Sequence, residues 1–112
     1  MANENLTDLQ KNVQSIARQL TSGDYDFDAE NREYEEPCAA DYLGDVLDIE
    51  YIISSRKDYL GARLLVAFGG PNIWINTRSK QVEGYWWGES HFQSFEDTLG
   101  IDDYLEEIWG CM

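Results

Sequence analysis

The sequence predicts an α+β fold: a four-stranded antiparallel β-sheet, built as a meander, with an N-terminal and a C-terminal helix. Three observations carry this. Apolar residues recur at spacings of three and four through residues 7–21, the period of one helix face. From residue 46 to 88 the pattern changes to short apolar or alternating runs split by turn residues, as strands on tight connections require. After Phe95 the helical period returns, with Ile101, Leu105, Ile108 and Trp109 on one side and Asp102, Asp103, Glu106 and Glu107 on another. The 112 residues suffice for one domain, 1–112, and 43% hydrophobic residues, including four Trp, suffice for a core.

Each element has its own justification. Thr7 and Gln10 form a capping-box pattern, with Leu6 placed to staple the helix entry. Leu6, Leu9, Val13, Ile16, Ala17 and Leu20 make the apolar face of this helix, and Gly23 is its stop signal. An acidic segment, residues 22–37, separates it from the sheet. "AADYLGDV", residues 39–46, predicts a short helix. "VLDIEYIIS" sets Leu47, Ile49, Tyr51 and Ile53 on one side of a first strand. "SRKDYLG" turns the chain, and "ARLLVAF", residues 62–68, is the unbroken apolar run of a central strand. After the turn "GGPN", "IWINT" places Ile73 and Ile75 on one face of a third strand and Trp74 on the other. "RSKQ" turns again. "VEGYWWG", residues 82–88, is the fourth strand, in which adjacent Trp86 and Trp87 must point to opposite faces. One Trp can fill the core and the other needs a helix or a partner over it. Trp74, Trp86 and Trp87 are therefore candidate interface aromatics.

The formal charge is −14. Such a chain is repelled by DNA, RNA and anionic membranes, so no direct nucleic-acid or membrane binding is expected. Its natural partners are cations or a basic protein surface. No stretch approaches 18 apolar residues, as a membrane-spanning helix would need, and "MANENLTDLQ" lacks the regions of a signal peptide. Cys38 and Cys111 belong to no CxxC or CxxH spacing, so two free thiols in a reducing cytoplasm are expected. The charge is segregated: net zero over residues 1–21, −10 over 22–50, +3 over 51–88 and −7 over 89–112.

"SGDYDFDAENREYEEP" concentrates the acids: Asp24, Asp26, Asp28, Glu30, Glu33, Glu35 and Glu36 against Arg32 alone. Asp24, Asp26, Asp28, Glu30 and Glu35 fall at positions one, three, five, seven and twelve of a calcium loop. Position six needs Gly and holds Ala29, position eight holds Asn31 where an apolar residue is usual, and the far flank runs into Pro37. Alternation accounts for the segment better. Extended, it turns Asp24, Asp26, Asp28 and Glu30 one way and Tyr25, Phe27 and Ala29 the other. Carboxylates two residues apart on a strand lie roughly 6.5–7 Å apart, near the phosphate spacing of one nucleic-acid strand. The plain alternative is a solvated linker.

Catalytic signals are weak. His91 is the one histidine, among Glu89 and Phe92, where a structural role is commoner than a catalytic one. There is no HExxH, P-loop or GxGxxG motif, and the Asp102–Asp103 pair lacks a third ligand for Mg²⁺. No cofactor, metal or enzymatic activity is expected.

"LLVAFGGPNIWINTRSKQVEGYWWG", residues 64–88, resembles the signature of small acidic proteins carried by phages and conjugative elements of bacteria. Those proteins follow a Gly-Gly-Pro-Asn-aromatic hairpin with a Gly-Tyr-Trp-Trp-Gly strand and an acidic C-terminal helix. The resemblance covers roughly residues 47–110 and carries over no individual functional residue. It implies the class of mobile-element proteins that block host defence, notably anti-CRISPR and antirestriction inhibitors, acting in the bacterial cytoplasm. The leading expectation is a stoichiometric inhibitor of a Cas effector such as Cas9. Its contacts would be Asp24, Asp26, Asp28, Glu30, Glu33, Glu35 and Glu36, with a second acidic face at Asp102, Asp103, Glu106 and Glu107. The alternatives are a small regulatory or structural module whose acidity serves solubility, and a calcium-responsive binding protein.

Overall fold

The computed structural model describes residues 7–23 and 38–112. Helix α1 (Asp8–Ser22) starts where the capping box places it. Thr7 Oγ1 accepts from the Gln10 N–H at 3.2 Å, and Gln10 Oε1 accepts from the Thr7 N–H at 3.1 Å. The helix ends at Gly23, whose φ of +73° turns its N–H back to Gln19 O at 2.9 Å. Leu9, Val13, Ala17 and Leu20 are buried along its inner face. Helix α2 (Ala39–Leu43) is a single short turn.

The sheet follows as β1 (Asp48–Ile53), β2 (Tyr59–Ala67), β3 (Asn72–Asn76), β4 (Gln81–Trp86) and β5 (Glu89–Ser94). Its spatial order is β1-β2-β3-β4-β5, each pair antiparallel. The α+β class and the meander agree with the sequence reading; the strand count does not. A fifth strand pairs with β4 from Trp86↔Glu89 to Gln81↔Ser94. The fourth strand stops at Trp86 because Trp87 and Gly88 reverse the chain with φ of +53° and +78°, the positive pair of a type I′ hairpin. Trp87 therefore lies on no strand face, and the expected opposition of Trp86 and Trp87 across the sheet does not arise.

One sheet face carries the core. Ile49, Leu64, Ile75 and Val82 stand opposite one another across β1 to β4, and the last three are fully buried. They pack with the α1 residues and with Phe95, Ile101 and Leu105. Each such Leu or Ile contributes about 1.5–3 kcal/mol relative to exposure. Leu47 and Ile53 do not join Ile49 and Tyr51, being 61% and 40% exposed. Leu47 precedes the strand, and the register shifts between Ile52 and Ile53. Helix α1 lies over β4 and β5, helix α3 (Ile101–Gly110) over β2, and α2 against α3. Gly84 lets α1 approach β4: a Cβ there would fall 2.5 Å from Val13 Cγ2. No helix among the described residues is long and apolar enough to cross a membrane.

Candidate functional site

Helix α3 distributes its carboxylates unequally. Asp103, Glu106 and Glu107, three and four residues apart, share the outer face and are exposed. Asp102 is turned toward the sheet instead. Its Oδ1 accepts from Tyr59 Oη at 2.7 Å and from Thr77 Oγ1 at 2.8 Å. Thr77 is the one buried polar residue among those described, and its Oγ1 also accepts from the Ala62 N–H at 2.8 Å. Asp97 holds the helix start, its two oxygens accepting from the Ile101 and Asp102 N–H groups at 2.8 Å each. Lys80 Nζ sits 3.8 Å from both Asp97 and Asp102. Burial, and then the Asp102 hydrogen bond, hold the Tyr59 hydroxyl far above the ordinary tyrosine range. The expected four-acid face is thus three exposed acids and one that ties α3 to β2 and to the end of β3.

The sheet face away from the core is uncovered by any helix among the described residues. Arg63 lies at its centre, with Nη2 3.0 Å from Glu83 Oε1, Nη1 3.4 Å from Glu50 Oε1, and Cζ 4.3 Å from the centre of the Trp74 ring. Asn76 Nδ2 donates to Glu83 Oε2 at 3.0 Å, and Tyr85 Oη donates to Glu83 Oε1 at 3.2 Å. The Tyr85 hydroxyl titrates above its ordinary value, through burial first and the Glu83 charge second. Trp74 is therefore engaged with Arg63 on this face, half-buried, and Ile73 and Ile75 are buried on the other as their alternation predicts.

The aromatics gather at one end of the sheet. Trp87 is 89% exposed at the β4–β5 turn, and Trp86 is 37% exposed beside it. Phe68, 75% exposed, opens the β2–β3 turn at the same end. Between these turns lies a concavity of about 400 Å³, lined by Gly70, Asn72, Tyr85, Trp86, Trp87 and Glu89 among others. Asn72 Oδ1 is buried with no hydrogen-bond partner among the described residues. Glu89 Oε1 accepts from Thr7 Oγ1 at 2.9 Å.

Of the residues singled out from the sequence, Asp24, Asp26, Asp28, Glu30, Glu33, Glu35 and Glu36, with the calcium-loop arithmetic over 24–35, lie outside the described residues. Asp103, Glu106 and Glu107 are brought together; Asp102 is withdrawn from them. Trp86 and Trp87 meet at the tip, while Trp74 lies further along the sheet. Sequence reasoning missed Phe68, Asn72 and Tyr85. The signal was present for Phe68 alone: the glycine pair directly after it is a turn mark, and residues at turns are exposed, whereas Asn72 and Tyr85 lie within strands and carry no such mark. His91, half-buried opposite Gly84, has a buried Nε2 with no partner among the described residues. Both cysteines are free thiols, Cys38 half-buried and Cys111 exposed. Compared with known proteins, the chain matches no family model, no curated protein and no solved structure.

Proposed function

We propose that this chain is a stoichiometric anti-CRISPR protein. It would occupy the basic groove of a Cas effector such as Cas9 and keep DNA or guide RNA out. The observation that supports this best is the outer face of α3, where Asp103, Glu106 and Glu107 are all exposed. No Lys or Arg occurs from residue 89 to 112, so nothing in that segment neutralises the face. A groove lined to hold phosphates attracts such carboxylates by the same electrostatics, with faster association at low salt. The seven acids between Asp24 and Glu36 add to the field of a chain whose net charge is −14. The resemblance of residues 64–88 to small acidic proteins of phages and conjugative elements points the same way, and the proposed site of action is the cytoplasm of a bacterial host. Inhibition by occupancy needs no catalytic group and scales with the ratio of inhibitor to target.

The test is DNA cleavage by purified Cas9 loaded with guide RNA, repeated with other purified Cas effectors, at low and high salt. For the target effector, cleavage is expected to stop near an equimolar ratio and to recover as salt rises. The triple variant Asp103→Asn, Glu106→Gln, Glu107→Gln should need at least about tenfold more protein, the equivalent of about 1.4 kcal/mol. Undisturbed cleavage by every effector at excess protein would remove the proposal.

A further inference from the structure

We propose that the free edge of β5 is a docking site for an extended segment of a basic partner protein, which pairs with it main chain to main chain. This rests on the proposed function in one respect, that the partner is basic. β5 is the last strand of the sheet and pairs on one side only, with β4. Phe95 N–H donates to Lys80 O at 3.0 Å, and antiparallel pairing alternates from there, so that Gln93, His91 and Glu89 turn their N–H and C=O groups to β4. Those of Ser90, Phe92 and Ser94 face outward, without a partner among the described residues. The other edge of the sheet is guarded. β1 carries Asp48 and Glu50, its register shifts between Ile52 and Ile53, and Asp48 Oδ1 already accepts from the Ile49 N–H at 2.9 Å. Charged side chains and bulges are how folds keep an edge from pairing. In β5 the one acid is Glu89, at its first position, and the pairing with β4 runs without a shift from Gln81↔Ser94 to Trp86↔Glu89.

The surroundings set what fits. On the core side of the edge, α1 and β5 leave between them a groove of about 500 Å³, lined by Gln14, Arg18 and Thr21 of the helix and Gln93 of the strand, among others. Thr21 fixes this wall: its Oγ1 accepts from the Glu96 N–H at 3.0 Å and its carbonyl accepts from Thr98 Oγ1 at 2.6 Å. On the open side Phe92, 48% exposed, rests edge-on against Tyr85 with ring centres 5.8 Å apart. An added strand sends alternate side chains to these two sides. Polar ones suit the groove, and β-branched apolar ones suit Phe92. Exposed Glu89 and Glu96 mark the two ends of the edge, and no Lys or Arg occurs from residue 89 to 112. Cations at both ends of the incoming strand complete the match. A second copy is disfavoured as the occupant. Antiparallel self-pairing centred on Phe92 sets Glu89 of each copy next to Glu96 of the other, and it joins two chains of charge −14.

The probe is the peptide acetyl-Lys-Thr-Val-Thr-Val-Thr-Val-Lys-amide, titrated into the full-length ¹⁵N-labelled chain at physiological salt. Expected is a saturable shift centred on β5, with hydrogen exchange at the Ser90, Phe92 and Ser94 amides slowed at least about tenfold. The His91 and Gln93 amides, already bonded to β4, should change far less. Glu in place of both Lys should weaken binding at least about threefold, and methylation of every central amide nitrogen of the peptide should abolish it. Phe92→Pro removes the central outward donor and leaves the pairing with β4 intact, as an edge strand tolerates. It should weaken binding at least about tenfold, and Phe92→Ala, which keeps the donor, by less. If Phe92→Pro does not fold, the methylated peptide and the exchange pattern decide alone. The α3 triple variant should change affinity by less than about twofold, so this edge and the acidic-face reading fail separately. No saturable response at millimolar peptide, an equal response to the methylated peptide, or shifts centred on β1 or α3 would each overturn the proposal. So would protection of the same amides by rising protein concentration alone, which would assign the edge to a second copy.

Discussion

Gly84→Ala puts a methyl group where α1 already sits. The new Cβ would lie 2.5 Å from Val13 Cγ2 and 2.8 Å from Leu9 Cδ1. Carbon atoms pack best at about 3.5–4.0 Å, so roughly 1 Å of overlap must be relieved. Leu9 can swing its terminal methyl. Val13 cannot give so easily: it is fully buried, and a helical valine keeps one χ1 well about 90% of the time. The helix must therefore lift from β4, loosening Leu9, Val13, Ala17 and Leu20 together. Overpacking costs about 1–3 kcal/mol, and two simultaneous contacts place this case near 2–3 kcal/mol. Urea unfolding monitored by Trp fluorescence should show a midpoint lower by about 1–2 M at unchanged slope. Val13→Ala removes the clashing methyl, so the double variant should be more stable than the sum of the two losses, with a coupling of about 1–2 kcal/mol. A Gly84→Ala midpoint within error of the parent, or strictly additive losses, would show that α1 does not rest on β4 through these atoms.

The remaining expectations concern the interior and the thiols. Thr77→Val deprives the buried Ala62 N–H of its acceptor and Asp102 of a donor, so it should cost about 2–3 kcal/mol by chemical unfolding, while Thr77→Ser should cost far less. Tyr59 titrates above its ordinary value of 10.0 in the folded chain, through burial and then the Asp102 hydrogen bond. Its contribution to stability is therefore complete below pH 10 and lost as pH rises beyond it. Tyr59→Phe should lower stability at neutral pH and flatten the decline measured by unfolding between about pH 10 and 12. Both cysteines should react with a thiol reagent under native conditions, exposed Cys111 ahead of half-buried Cys38. A single reactive thiol, or a mass two units below that of the reduced chain, would contradict the assignment.

Much of the fold was legible because local signals and burial agreed. Thr7, Gln10 and Gly23 mark both ends of α1 with residues whose hydrogen bonds form as the pattern requires. The alternation of Ile73, Trp74 and Ile75 separates core from open face because β3 is central and paired on both sides. Strand β5 was not legible. "ESHFQS" has no β-branched residue and one large apolar side chain, Phe92, which lies 48% exposed at the sheet edge. An edge strand is held by main-chain pairing to β4, and that pairing leaves little trace in side-chain type. The hairpin before it was hidden by Trp87, which stands where Asn or Asp would have announced the turn. In the candidate site, helical periodicity placed Asp102 with its acidic neighbours. The hydroxyls that claim it, from Tyr59 and Thr77, are 43 and 25 residues away in sequence. A contact of that range leaves no mark in spacing.

The neighbour-to-neighbour order of the sheet also governs how the chain reaches its structure. Every strand finds its partner across a short reversal, as short as residues 87–88, so the sheet can zip from any hairpin at little loss of chain freedom. Hairpins form in about 1–10 μs. Helix α1 is in a different position. It meets β4 and β5 only after the whole meander has been traversed, with Val13 waiting for Gly84. This topology predicts that the meander forms first and that the docking of α1 is the closing step. In that order of events Val82, on β4, lacks the cover of α1 until the last step, and association between copies is expected to be greatest then.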